Sequence, residues 1–319
     1  MDSRTPILGD YDLAGPDCIT ELKPDTAWHI DHPSGHWVIA KRPIYDPGSR
    51  RVERLEAASR LMTELHRAGE PWVHAKRNKD GRYITVKDAS LYQVTSFAEG
   101  ENTWDLETPE MIPDVGRAMG AYHRYQETSF DAQLAVHDFI EMTLDGLEIR
   151  RQELLTFAAD RKPPIEAIDE AINRFRAITP TLMTLPSGLI HMDLSSGNVL
   201  FKNGRLSGII DFEAFFAPFI LDIGITGLYW AIPFDPETSD TRVDPGRLKT
   251  LLESYAEERS LGQDEILAHK DAFVWCAIRW WSRQSPYTEG MGDFRPHSRY
   301  DAYRCCLDLD SDWLESCFT

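Results

Sequence analysis

Residues 188–212, GLIHMDLSSGNVLFKNGRLSGIIDF, break a long run of helical periodicity with an abruptly strand-like stretch, and no other part of the chain restricts the fold as tightly. Asn203-Gly204 sits between two apolar runs and predicts a two-residue type I′ turn, because both positions tolerate positive φ. With those residues as the turn, cross-strand partners have numbers that add to 407. Asn198 then faces Ile209, and Asp211 stands two residues further along on the same side. The two polar residues form a diagonal pair, about 7 to 8 Å apart at the backbone. Asp193 lies five residues before Asn198, on the segment that leads into the hairpin.

The segments CITEL, AWHI and WVIAKR, separated by turn residues within 17–42, read as three short antiparallel strands with Lys41 near the end of the third. Leu55, Ala58, Met62 and Leu65 recur at helical spacing over 50–69, and Gly69 with Pro71 beyond it stops that helix. Residues 82–97 give another hairpin, which FAEGEN ends. Pro113 opens a helix carrying Val115, Met119 and Tyr122, and helical patterns follow over 137–158, 164–178, 245–259 and 264–283. The expectation is an α+β chain, β-rich over 1–97 and mainly helical over 98–319. Its 319 residues suffice for two domains or for one two-lobed enzyme with a sizeable core.

One stretch mimics a membrane span: Phe215 to Phe234 is nearly apolar over about one bilayer thickness. Asp222 sits inside it, and a mid-helix Asp costs about 2.5 to 3.5 kcal/mol on insertion. The run therefore reads as buried core, with no membrane partner. A formal charge of −18 argues against a nucleic-acid partner, and it suits either solubility or the attraction of small cations. The N-terminus lacks the basic start and apolar stretch of a secretory signal. Five scattered cysteines without a CxxC pair indicate neither a disulfide framework nor a zinc site, and they fit a cytoplasmic location.

A carboxylate close in sequence to two oxygen ligands for a hard cation is what phosphoryl transfer requires: one group takes or orients the hydroxyl proton, and metal positions neutralise developing charge. His191-Met192-Asp193, then Asn198, then a second strand ending in Ile209-Ile210-Asp211-Phe212-Glu213 resembles the catalytic segment of aminoglycoside phosphotransferases. These small-molecule kinases are related to choline and homoserine kinases and to protein kinases, whose motifs follow the same logic.

The resemblance implies a two-lobed protein-kinase-like fold, with residues 1–97 as the nucleotide-binding lobe and 98–319 as the catalytic and acceptor-binding lobe. ATP and Mg²⁺ are the implied cofactors. Asp193 is the implied catalytic base, and Asn198 and Asp211 the metal ligands. Lys41 is the expected contact to the α and β phosphates. Glu56 is its expected ion-pair partner, with Glu53 as the alternative because the helix register is open. Ser96, Phe97 and Ala98 occupy the hinge position, where backbone groups meet adenine. Asp222 matches a position that braces the catalytic loop, and His191 one that orders it. Two features depart from protein kinases: the turn before Lys41, KPDTA, has no glycine, and Asp211 is followed by Phe212-Glu213 without the glycine of DFG. The latter argues against a protein substrate controlled by loop phosphorylation.

The implied reaction is phosphorylation of a hydroxyl on a small molecule such as an aminoglycoside, amino sugar or amino alcohol. A homoserine- or choline-type metabolic kinase, a nucleotide-binding pseudokinase and a protein-modifying kinase are the alternatives. Residues 101–145 hold ten acids, Asp105, Glu107, Asp131 and Asp138 among them, against Arg117 and Arg124. They form either an acidic wall for a cationic acceptor or a solvated helix face. Trp280, Trp281, Tyr287, Arg295 and Tyr300 in the C-terminal region offer sugar stacking or plain helix packing.

Overall fold

The computed structural model describes residues 5–44, 50–103, 108–129, 139–156, 165–232, 242–282 and 298–318. Asp105, Glu107, Asp131, Asp138, Tyr287 and Arg295, together with the end of the apolar run at 233–234, lie outside them. The elements in chain order are α1 (Thr5–Asp10), β1 (Cys18–Lys23), β2 (Ala27–His32), β3 (Gly35–Pro43), α2 (Arg51–Arg67), β4 (Ile84–Lys87) and β5 (Ser90–Ser96). Then come α3 (Ile112–Ser129), α4 (Phe139–Thr156), α5 (Ile165–Leu182), β6 (Ser187–Ile190), β7 (Val199–Lys202), β8 (Arg205–Ile209) and β9 (Phe215–Pro218). The chain ends with α6 (Phe219–Ala231), α7 (Pro245–Ala256), α8 (Gln263–Leu267), α9 (His269–Ser282), α10 (Ser298–Leu307) and α11 (Ser311–Ser316).

Packing divides the chain into two compact units. The first joins Met1–Glu107 to Ser129–Leu134 and Gly197–Ala214; the second holds Thr108–Thr128, Ala135–Ser196 and Phe215–Thr319. The division is therefore not a single cut at 97/98, because the β7–β8 hairpin packs with the first unit. Phe201 and Glu101 exchange backbone hydrogen bonds of 2.9 and 3.0 Å, and Ile209 N donates to Pro71 O.

The first unit is built on an antiparallel sheet of order β1-β2-β3-β5-β4. Trp28, Ile30, Trp37, Ile39, Tyr92 and Val94 alternate onto one face and bury against Ile7, Leu8, Tyr11 and Leu13. The α1 segment that supplies this cover was not predicted, since a six-residue helix carries too little periodicity to detect. The opposite face receives α2, whose Ser59 Oγ accepts from Gln93 Nε2 at 2.7 Å. This alternation matters for the site: Lys41 shares its parity with Trp37 and Ile39, and Arg42 with Val38 and Ala40.

In the second unit α6 is buried along its length except at Tyr229, so the apolar run is a core element, as its composition suggests. No described helix is long and apolar enough to cross a membrane. Close helix contact is licensed by glycine: a Cβ at Gly116 would stand 2.6 Å from Leu251 O, and one at Gly120 2.6 Å from Tyr255 O. That approach of α3 to α7 brings His123 against Tyr255. The stretch read as one helix over 264–283 is two, α8 and α9, divided at Ala268. Glu265, in the first turn of α8, is drawn back to Gly262 N and to Arg259.

Candidate functional site

The site residues fall in both units. In the helical unit, β6 pairs with β9 and feeds the chain into His191-Met192-Asp193. Asp193 is the one exposed side chain between Gly188 and Ser196. Met192 adopts φ 60°, a left-handed conformation that costs a non-glycine residue of order 1 to 3 kcal/mol unless its surroundings enforce it. Asp222 enforces it: Oδ1 accepts from Met192 N at 2.7 Å and Oδ2 from His191 N at 3.0 Å. Trp230 Nε1 donates to Leu194 O on the other side, so the backbone is held before and after Asp193. The pairing that an acid at position 222 demands is thus met by the loop that carries Asp193.

Asp222 is itself braced. His123 Nε2 stands 3.3 Å from Asp222 Oδ2, too poorly aligned for a good hydrogen bond, with both side chains fully buried. Arg259 donates to Tyr255 Oη, which leaves the Tyr255 hydroxyl proton for His123 Nδ1 at 3.0 Å and places the imidazole proton on Nε2, toward the carboxylate. Arg259 is anchored by Glu265 and Glu127. Burial raises the Asp222 carboxyl to about 7, against the pull of its two backbone donors. Burial, with Arg259 adding to it, holds His123 well below its usual value, so the imidazole is neutral. Sequence reading missed the chain His123–Tyr255–Arg259, because its members lie on α3, on α7 and just beyond α7, with no local motif to link them.

In the β-rich unit the Asn203-Gly204 turn forms as predicted, with φ 54° and 74°, and Lys202 pairs with Arg205. The register then shifts: Leu200 faces Gly208 and Val199 faces Ile209, not Asn198 as the two-residue turn alone would require. A bulge at Ser207 causes this, and it is pinned by Ser207 Oγ against Glu99 O (2.7 Å) and Leu200 O (3.0 Å). Asn198 consequently meets Ile210, whose N donates to Asn198 O at 3.0 Å. Asp211 leaves the strand alternation at φ 58°, so the diagonal arrangement inferred from ideal alternation does not hold. Its carboxylate is half exposed and accepts from Arg42 at 2.5 Å.

Arg42 is where the structure departs most from expectation. Its guanidinium contacts both Asp211 and Glu213, the latter at 3.0 Å, while Arg51 in the first turn of α2 also pairs with Glu213. Lys41 lies on the other parity of β3. Glu56, the expected partner of Lys41, instead accepts from Tyr83 N (3.0 Å) and Ile84 N (3.1 Å) and pairs with Arg82. Among the described residues neither Glu56 nor Glu53 forms an ion pair with Lys41; Glu53 lies 3.9 Å from Arg50. A signal for Arg42 was present: in Trp37-Val38-Ile39-Ala40-Lys41-Arg42 the bulky apolar residues mark the covered face and share it with position 41.

At the expected hinge, Ser96 N donates to His74 O and Phe97 N to His36 O, so two of the three backbone donors already have protein partners. Ala98 follows with its Cβ against the hairpin; a Cβ at Gly208 would lie 2.6 Å from it. Asn198 and Asp211 offer oxygen donors only, and the Asp211 carboxylate is accessible, a donor set suited to Mg²⁺ rather than to a softer metal.

A β-rich unit with a sheet and one long helix, and a helical unit whose buried Asp braces the loop of an exposed Asp, fit the protein-kinase-like fold. Residues 25–260 match the family described as the phosphotransferase enzyme family (APH), and the chain belongs to it. It is 26% identical over 264 residues to a homoserine kinase of Methylobacillus flagellatus, covering 81% of this chain and 75% of that one. It is 29% identical over 236 residues to a homoserine kinase of Neisseria meningitidis serogroup B, covering 72% and 71%. Among solved structures it is similar to the amicoumacin kinase hAmiN in complex with AMP-PNP, Ca²⁺ and Ami (TM-score 0.64, 15% identity, 94% and 89% covered). It is also similar to a microcompartment-associated aminopropanol kinase (TM-score 0.60, 15% identity, 98% and 94% covered).

Proposed function

We propose that this phosphotransferase moves the terminal phosphoryl group of Mg-ATP to a hydroxyl of a small amine-bearing molecule, an amino alcohol such as homoserine before an aminoglycoside. The observation that carries the reading is the exposed carboxylate of Asp193, held on a strained turn by the buried Asp222. Its carboxylate oxygen accepts the proton of the acceptor hydroxyl as the hydroxyl oxygen bonds to the γ phosphorus and the bond to the departing ADP oxygen breaks. Asn198 and Asp211 hold Mg²⁺, which when bound neutralises charge on the phosphate oxygens. Arg42, already paired with Asp211, orients that carboxylate and stands as the β3 cation toward phosphate, the role the family resemblance implied for Lys41. Ala98 carries the backbone donor for adenine, since those of Ser96 and Phe97 are spent within the protein.

The amino alcohol class is supported by the homoserine kinase relatives, which are matched over most of their length. Coupled ADP release with Mg-ATP against homoserine, aminopropanol, choline, amino sugars and aminoglycosides tests the reading. We expect stimulation by an amino alcohol in the wild type and a loss of at least 10³-fold in Asp193→Ala, with folding intact. Turnover unaffected by Asp193→Ala would remove the assignment.

A further inference from the structure

On β2 and β3, beside the expected hinge and apart from Asp193, Asn198 and Asp211, three side chains of metal-ligating type share one face of the sheet. His29 and Asp31 are two residues apart on β2, and His36 is the direct cross-strand partner of Asp31. One ligand atom of each lies within 4.8 Å of the others. Asp31 Oδ1 stands 2.6 Å from His36 Nδ1 and 3.6 Å from His29 Nε2, and the two imidazoles face each other nearly parallel, 16° apart. His29 Nε2 is buried and makes no hydrogen bond, and a buried polar atom left unpaired is costly.

We propose that His29, Asp31 and His36 form a binding site for a divalent transition metal of the Zn²⁺ or Co²⁺ class, distinct from the magnesium ligands Asn198 and Asp211. Two imidazoles and one carboxylate form the three-protein-ligand set that leaves a fourth position for water. Imidazole selects zinc, cobalt, nickel or copper over magnesium. Ligand atoms around such an ion sit about 3.3 Å apart. The strand register already sets the three residues on one side of the β2–β3 pair, so closing the set from the present spacing calls for side-chain rotation. Cys18 is the β1 neighbour of Asp31 in the sheet, but its Sγ is directed to Thr20 Oγ1 at 3.8 Å, so the thiol is left out of the ligand set. The site abuts residue 97: the His29 ring lies 4.5 Å from that of Phe97, and Phe97 N donates to His36 O. A bound ion would staple β2 to β3 beside it.

The test is titration of the untagged full-length chain with Co²⁺ in excess Mg²⁺, followed by visible absorbance, with Zn²⁺ used to displace it. We expect one equivalent bound, with visible bands of a four- or five-coordinate ion that Zn²⁺ abolishes, and a rise in Tm on Zn²⁺ addition. His36→Ala and His29→Ala should each weaken binding at least tenfold, while Cys18→Ser and Asp211→Asn leave it unchanged. All four single variants and the His29→Ala/His36→Ala double variant are checked for the wild-type far-UV spectrum. Absence of a Co²⁺ complex, binding that survives the His29→Ala/His36→Ala double variant, or binding lost in Cys18→Ser or Asp211→Asn would overturn the proposal.

Discussion

The adjacent cations Lys41 and Arg42 separate two accounts of how this chain holds a nucleotide. In a strand neighbouring side chains point to opposite faces, so only one of them can share the face of Gln93 and α2. Arg42 does, donating to Gln93 Oε1 and pairing with Asp211 and Glu213. Arg42→Ala should raise KM for Mg-ATP about 10- to 100-fold, matching the 1.5 to 3 kcal/mol of a charged hydrogen bond. Lys41→Ala should change it by less than about threefold. Steady-state kinetics at saturating acceptor decides, and the reverse ranking would return the role to Lys41. Lys41, Asp193, Asn198 and Asp211 were singled out in the sequence as one expected set, whereas Arg42 was not. The partners that Glu56 has here, the backbone donors of Tyr83 and Ile84, lie at the start of β4, whose approach to α2 has no local sequence signal.

At the level of elements, the strands of the first sheet, α2 and α3 were legible because their apolar residues recur with clean periods and Gly or Pro marks several of their ends. The β7–β8 hairpin was legible in its turn and not in its register. The bulge depends on Ser207 meeting Glu99, over a hundred residues earlier in the chain, and no window along the sequence contains both. Gly100 is the other half of that contact. It sits at φ 142°, and a Cβ there would come within 2.5 Å of Ser207 Oγ and 2.9 Å of Phe201 O. Gly100→Ala should therefore destabilise the protein by about 1 to 3 kcal/mol through strain and displacement of the hairpin. Gly9→Ala, where a Cβ meets nothing within 4 Å and φ is not positive, is the matched control and should be neutral or slightly stabilising. Equal urea midpoints for the two variants would mean that the hairpin is not held through residue 100.

Across the whole molecule, buried titratable groups set how stability responds to pH. His269 is fully buried against Phe273 and Phe318, and burial lowers it from 6.5 to about 3. Below 6.5 the unfolded chain takes up a proton that the native state refuses until about 3. This contribution is therefore complete above 6.5 and drains away as pH falls, at about 1.4 kcal/mol per pH unit. His123 acts in the same direction. Asp222 opposes them: the native state keeps its proton up to about 7 while the unfolded chain releases it near 3.8, so stability from this group falls as pH rises through that window. His269 and His123 thus weaken the native state toward acid, and Asp222 offsets part of that loss. His269→Phe removes one titration while filling the same apolar surroundings and leaves both the Asp193 loop and the metal ligands untouched. Its unfolding free energy, measured by urea at pH 4, 5, 6 and 7, should gain on the wild type by about 1.4 kcal/mol for each unit below 6.5. Parallel curves for the two proteins would show that His269 is protonated in the native state and that the acid limb comes from other groups.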